Sequence, residues 1–312
     1  MTDNHPPSTV LVLGANGRFG HAAALAFSGA GWRVKAQSRA SPVLALQNVT
    51  AISCDALDEN RLVDAARGVD VIVNALNPNY AKWETMLPPL TRVVLSVARR
   101  SGAFLMLPGN VYNYGRLLPS ELREDTPFVP DTPKARLRIA LEQAMAEAAA
   151  QGVRSTVIRA GDFLGGQGTW LDLAIAKSLD KGVVTHPGPD DLAHAWAYVP
   201  DLARVFEKVA RRRADLEAFS SLHYEGLTLT LRQFHQGLEA ATGRELRAKP
   251  MPWWLLRAAG LFSPMTRAVV EMRYLWERPH RLVEWRLPQL IGPVPATPLS
   301  EVLKAELGGP AG

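Results

Sequence analysis

Residues Val10–Gly20 read VLVLGANGRFG, and this stretch narrows the range of folds more than any other. Val10–Leu13 is a short continuous apolar run, the pattern of a strand buried on both faces. It runs into Gly14, Gly17 and Gly20, and an alanine-rich helical stretch, His21–Phe27, follows. The order is strand, tight turn, helix N-terminus. The first two glycines let backbone approach a ligand, and the third lets helix and strand pack closely. Free N–H groups and the positive end of the helix dipole favour a phosphate, so the loop reads as a nucleotide site.

The same alternation continues through the first half. Val10–Leu13, Arg33–Ala36, Thr50–Ser53, Val69–Asn74, Phe104–Leu107 and Arg154–Arg159 read as strands. Helical patterns at Glu59–Arg67, Met86–Arg100 and Lys134–Ala150 separate several of them. Such alternation predicts an α/β fold, a parallel sheet with helices on both faces. In 312 residues, 47% hydrophobic and 21% charged, there is material for a sizeable core. A single cysteine, Cys54, excludes an intramolecular disulfide framework and suits a reducing cytoplasm. The N-terminus lacks the basic and apolar regions of a signal peptide. No apolar run is long enough for a membrane span. The best candidate, Trp253–Phe262, is short and contains Arg257; as dimer surface, lid or core its role is open. The net charge of +5 has its densest run at Arg211–Arg213. That run closes a helical pattern starting near Asp201, where cations complement the dipole, so nucleic-acid binding is not expected.

The glycine spacing G-x-x-G-x-x-G resembles that of the extended and atypical short-chain dehydrogenase/reductases. The resemblance implies a Rossmann-type doubly wound parallel sheet with a smaller C-terminal substrate domain. The expected division is a dinucleotide-binding domain over residues 1–160, with return segments near 194–224, and a substrate domain over 161–312. It also implies a dinucleotide cofactor, with Gly14, Asn16, Gly17, Arg18, Phe19 and Gly20 at the pyrophosphate. An acid ending the second strand would bind a ribose 2′-hydroxyl. Gln37, Ser38 and Arg39 stand there instead. Ser38 and Arg39 can bind a 2′-phosphate, which favours NADP over NAD. By the same resemblance Asp55 meets the adenine, and Ala75 and Leu76 border the cofactor.

Active members of the extended family use Ser or Thr near the end of strand five and then Tyr-x-x-x-Lys. This chain has Pro108 in the first slot, Lys134 in the tyrosine slot and Arg138 in the lysine slot, with Glu142 one turn on. The K-x-x-x-R-x-x-x-E helix resembles atypical members related to isoflavone and pinoresinol reductases, NADPH-dependent enzymes with a lysine as presumed proton donor. The expectation is an NADP(H)-dependent oxidoreductase acting on a small organic substrate. Lys134 would serve as proton donor and cofactor neighbour, with Arg138 beside it lowering its pKa. Tyr112 and Tyr114 are alternative donors. A solvated ladder of paired charges would account for the helix without catalysis.

Arg159–Phe163 and His194–Ala203 resemble the family's substrate-lining and FVHVDDVA segments. They point to Asp162, Phe163, His194 and Trp196 at the substrate, to Asp201 as a helix N-cap, and to a mobile loop at Gly165, Gly166 and Gly168. Leu171–Lys181 reads as a helix. No metal-ligand cluster accompanies His194. The rival readings are a cofactor-binding regulator or scaffold without turnover, and a nucleotide-sugar epimerase or dehydratase, against which the missing tyrosine counts. Oligomeric state, a homodimer included, is open.

Overall fold

A computed structural model describes residues 7–40 and 46–308. Its main sheet contains β1 (Thr9–Leu13), β2 (Arg33–Ser38), β3 (Val49–Ser53), β4 (Val71–Asn74) and β5 (Phe104–Gly109). After a two-residue β6 (Glu121–Leu122) it continues with β7 (Ser155–Arg159); β8 (Asp162–Leu164), β9 (Val183–His186) and β10 (Ala193–Tyr198) lie outside it, and β11 (Phe219–His223) completes it. The seven strands run in the order β11-β7-β5-β4-β1-β2-β3, all parallel. The order reverses between β1 and β4, where ligands of such sheets bind, outside the carboxyl ends of the strands.

The period-2 alternation of β1 builds both layers. Val10 and Val12 face a core shared with helices α1 (Arg18–Gly29) and α5 (Val199–Arg211), in which Phe19 packs on Phe206 at a centroid distance of 4.7 Å. Leu11 and Leu13 face the opposite layer, with α2 (Glu59–Ala65), α3 (Trp83–Ser101) and α4 (Pro133–Ala148). All five residues of β1 are buried, which explains its unbroken apolar run. The α/β doubly wound architecture expected from the sequence is present.

The remaining elements form a smaller C-terminal lobe. β12 (Leu227–Thr230), β10 and β8 make a three-stranded sheet; β9 pairs with β13 (Arg247–Pro250), and β6 with β14 (Arg281–Leu282). Around them lie α6 (Leu231–Thr242), α7 (Trp253–Gly260), α8 (Pro264–Glu271) and α10 (Leu299–Gly308), whereas α9 (Arg286–Ile291) packs its Leu287 into the core that α1 and α5 share with the main sheet. Trp196, Phe234, Trp276 and Leu303 centre the lobe's core. Gly161 lets β8 start against β10, since a Cβ there would stand 2.2 Å from the Ala195 carbonyl oxygen.

Two local expectations are corrected. Leu171–Lys181 is not one helix but a π-type turn at Leu171–Ile175 and a 3-10 turn at Leu179–Lys181. Ala176 bonds back to Leu171, and Gly182 turns the chain with a positive φ so that Val183 can bridge Ser178. Asp201 is not the N-cap of α5. Tyr198 holds that position, and the Asp201 carboxylate accepts from the Thr297 N–H at 2.6 Å and its hydroxyl at 2.9 Å. It thereby ties the C-terminal segment to the helix. Arg211–Arg213 do close the helix, and they are spent on Glu207, Asp215 and Asp70.

Candidate active site

The glycine loop connects β1 to α1 as a tight bend. Gly14 adopts φ +74°, and a Cβ there would press on the Ala75 carbonyl at 3.0 Å. Gly20 is stricter still, because a Cβ would stand 2.3 Å from the Gly14 carbonyl oxygen. Asn16 and Gly17 are exposed, and among the described residues no side chain caps the α1 N-terminus. The first-turn N–H groups of Arg18, Phe19 and Gly20 are therefore open to an anion, a cradle that fits a pyrophosphate. The Phe19 side chain itself is core, so only its backbone serves this cradle.

Gln37, which sequence reasoning passed over, braces the loop. Its Oε1 accepts from the Gly14 N–H at 2.9 Å and its Nε2 donates to the Cys54 carbonyl at 2.7 Å. Ser38 gives its hydroxyl proton to the Ala40 carbonyl at 2.6 Å rather than holding it for a ligand, whereas Arg39 is exposed at the strand end. Asp55 is exposed and accepts from the Leu57 N–H at 2.8 Å. Ala75 and Leu76 lie half-buried beside Gly14.

Arg18 reaches the segment expected to be a mobile loop. Its Nε donates to the Gln167 carbonyl at 2.9 Å, and burial lowers its pKa. Asp172 holds the Gly168 and Thr169 N–H groups at 2.6 and 2.5 Å, and Glu306 takes that of Gly166 at 3.1 Å. The loop is pinned from three sides beside the glycine loop.

The α4 charges are not a solvated ladder. Lys134, Arg138 and Glu142 are all buried, and each pairs with a different element. The Lys134 ammonium donates to Glu271 Oε2 at 2.5 Å and to the Ala268 carbonyl at 3.1 Å, and it lies 5.6 Å from the Tyr80 ring centroid. Arg138 donates to the Pro108 carbonyl at 2.6 Å. The charge touching Lys134 is thus the Glu271 carboxylate, not the Arg138 guanidinium, which corrects the role expected of Arg138. Its own pKa is lowered by burial. Glu142 meets Arg159 in a bidentate pair, at 2.6 and 3.2 Å.

The two tyrosines differ. Tyr112 is buried with its hydroxyl 2.9 Å from that of Tyr80, and burial raises its pKa well above the usual value. Tyr80, just beyond β4, has its pKa raised as well by burial. Tyr114 is walled into the core and is no candidate donor. His223 Nδ1 faces the Leu122 carbonyl at 3.0 Å and must carry the hydrogen, so Nε2 accepts from the Tyr114 hydroxyl at 3.0 Å. Burial pushes the Tyr114 pKa up to about 12.

Asp162 and His194, distant in sequence, come together at 2.9 Å. The His194 ring stacks on Trp276 at a centroid distance of 4.1 Å. Trp196, 1% exposed, is core behind this couple rather than a surface that substrate could touch, and Phe163 packs against Phe19. Tyr274 and Glu271, both missed from sequence, add a hydroxyl and a carboxylate oxygen that are buried without hydrogen-bond partners among the described residues. Tyr80, Tyr112 and Tyr274 all feel the Asp162 charge, which, after burial, helps hold their protons on. The cluster lies at the carboxyl ends of β4 and β5 where the lobe closes over the sheet.

Two buried histidines set an acid limit. Burial, with Arg159 nearby, lowers the His223 pKa from 6.5 to about 3, and burial with His194 does the same for His280. Below pH about 6.5 the unfolded chain binds protons that the folded chain refuses, so stability falls as pH drops toward 3. The expected slope is up to about 1.4 kcal/mol per pH unit for each histidine. Urea midpoints that stay constant from pH 7.5 down to pH 5 would contradict this.

The family model described as NAD dependent epimerase/dehydratase family matches residues 10–220. The chain belongs to that family. Among solved structures it is similar to UDP-glucose 4-epimerase from Brucella ovis in complex with NAD, at 17% identity and TM-score 0.77, over 96% of this chain and 98% of that one. The UDP-glucose 4-epimerase of Bifidobacterium longum in complex with NAD+ and UDP is similar at 15% identity and TM-score 0.76, over 96% and 97%. An enzyme from Bordetella bronchiseptica in complex with NAD+ gives 16% identity and TM-score 0.72, over 96% and 97%. No curated protein matches the sequence. Identities this low establish a common fold. No helix of the described residues is long and apolar enough to cross a membrane.

Proposed function

We propose that this epimerase/dehydratase family member binds a nicotinamide dinucleotide and uses it for hydride transfer at a carbon bearing a hydroxyl or carbonyl group. When bound, the dinucleotide supplies the hydride acceptor or donor. The substrate is a small organic molecule held between the carboxyl edge of the sheet and the C-terminal lobe. Family membership favours the epimerase or dehydratase form of this chemistry over a plain reductase, which makes a nucleotide sugar the first substrate class to test.

The observation that carries the proposal is the burial of Lys134 beside the ends of β4 and β5, in the slot where the extended enzymes place tyrosine. Lys134 is the proton-carrying group in this reading, and Glu271 is its counter-charge. A substrate oxygen would take over the ammonium donor now given to the Ala268 carbonyl. Arg138 positions the β5 end through Pro108. The ion pair to Glu271 also favours a second reading, binding without turnover, because it occupies an ammonium donor that a substrate oxygen would need.

Arg39, with no acid near the β2 end, supports NADP(H) over NAD(H). Calorimetric titration of the full chain with both dinucleotides tests this, followed by incubation with UDP-glucose and separation of products. Arg39→Ala should weaken NADP binding by about tenfold or more, the scale of a lost charge-assisted hydrogen bond, and leave NAD binding alone. Equal loss for both dinucleotides would remove the 2′-phosphate role. If neither dinucleotide binds, the proposed function fails; if one binds and no substrate turns over, the second reading stands.

A further inference from the structure

The hairpin of α7 and α8 presents side chains that the fold leaves uncovered. Trp253 turns inward, its indole donating to the Pro187 carbonyl at 2.8 Å, while the adjacent Trp254 is 74% exposed. Leu255, Leu261, Phe262 and Met265 are exposed too, Phe262 at 90%. Single exposed apolar residues are ordinary on any surface, but this group is concentrated on one hairpin. The tip is built rather than frayed. Arg267 Nε donates to the Gly260 carbonyl at 3.2 Å, and the Ser263 hydroxyl caps α8 by accepting from the Thr266 N–H at 3.2 Å.

Charge selects the occupant. From Leu246 to Val270 the sequence contains no Asp or Glu, yet Arg247, Lys249, Arg257 and Arg267 are all exposed there. A second copy docked face to face would bring arginines onto arginines with no carboxylate from this segment to offset them. A surface of anionic lipid supplies the opposite charge and a place for aromatic side chains at its boundary. Each helix has eight residues, so the hairpin is far too short to span a bilayer and suited only to lie at its interface.

We infer that the α7–α8 hairpin is an interfacial anchor for an anionic membrane surface, with Trp254, Leu261 and Phe262 entering the headgroup boundary and Arg257 meeting lipid phosphates. The same α8 that starts at this tip ends in Glu271, the partner of Lys134.

Co-sedimentation of the full chain with vesicles of phosphatidylglycerol and phosphatidylcholine, against phosphatidylcholine alone, tests the anchor. Binding is expected to the anionic vesicles and should weaken as salt screens the arginines. The double variant Leu261→Ser with Phe262→Ser should lose about tenfold or more in partition, as removal of inserted apolar surface requires. Arg257→Glu should weaken binding to the anionic vesicles. These positions are exposed, so unchanged melting curves would show that the variants fold. The inference is overturned if the parent does not sediment with anionic vesicles, or if the Ser variant partitions as the parent does. It is equally overturned if light scattering finds a dimer that the Ser variant dissolves while vesicles bind neither.

Discussion

Glu142→Ala should destabilise the protein by about 3–5 kcal/mol, the usual loss when one partner of a buried ion pair is removed. Arg159 is fully buried and aims both terminal nitrogens at Glu142. Without that carboxylate, the Asn110 carbonyl at 2.7 Å is its one remaining hydrogen-bond partner among the described residues. The guanidinium is 4.9 Å from the Phe128 ring centroid and 5.5 Å from that of Tyr114, so water has little access. Glu142→Gln keeps one acceptor and should lose less. Chemical denaturation of the three proteins gives the comparison. A loss under about 1 kcal/mol for the alanine variant would mean that Arg159 finds another acceptor or water.

Lys134→Met should cut turnover by about a hundredfold or more, the contribution of a positioned proton donor, without a matching loss of cofactor affinity. Methionine keeps most of the buried stem but leaves Glu271 without its counter-charge, so some loss of stability is expected as well. Turnover is compared at a temperature where both proteins are folded. Lys134→Arg separates the two properties of the lysine. It restores the charge opposite Glu271 but holds its proton far more tightly, so it should rescue stability and not turnover. Turnover equal to the parent in the methionine variant would leave Tyr80, Tyr112 or Asp162 as the proton carrier instead. The proposed dinucleotide cradle would be untouched by that result, since it rests on the backbone geometry of Gly14 and Gly20.

Much of the fold was legible because its signals are local. The apolar run of β1, the glycines and the alanine-rich start of α1 each follow from backbone conformation and period within a few residues. The strand positions up to Arg159 were readable for the same reason. Leu171–Lys181 failed because a helical apolar pattern does not report the Ala176 bond back to Leu171 or the Ser178–Val183 bridge that break the segment in the middle. The α4 charges show the limit more clearly. Their spacing put Lys134, Arg138 and Glu142 on one helix face, but spacing cannot say whether that face meets water or protein.

The sequence by itself determined the α/β order of elements, the glycine loop and the absence of the family's tyrosine–lysine couple. Only the tertiary structure decided what replaced it. Lys134 found Glu271, Asp162 found His194, and Tyr112 found Tyr80 across separations of 137, 32 and 32 residues. It also turned Tyr114 and Trp196 into core while leaving Trp254 and Phe262 in solvent. Local conformation is written in neighbouring residues, whereas burial and ion pairing depend on which distant surfaces the packed sheet and lobe bring together.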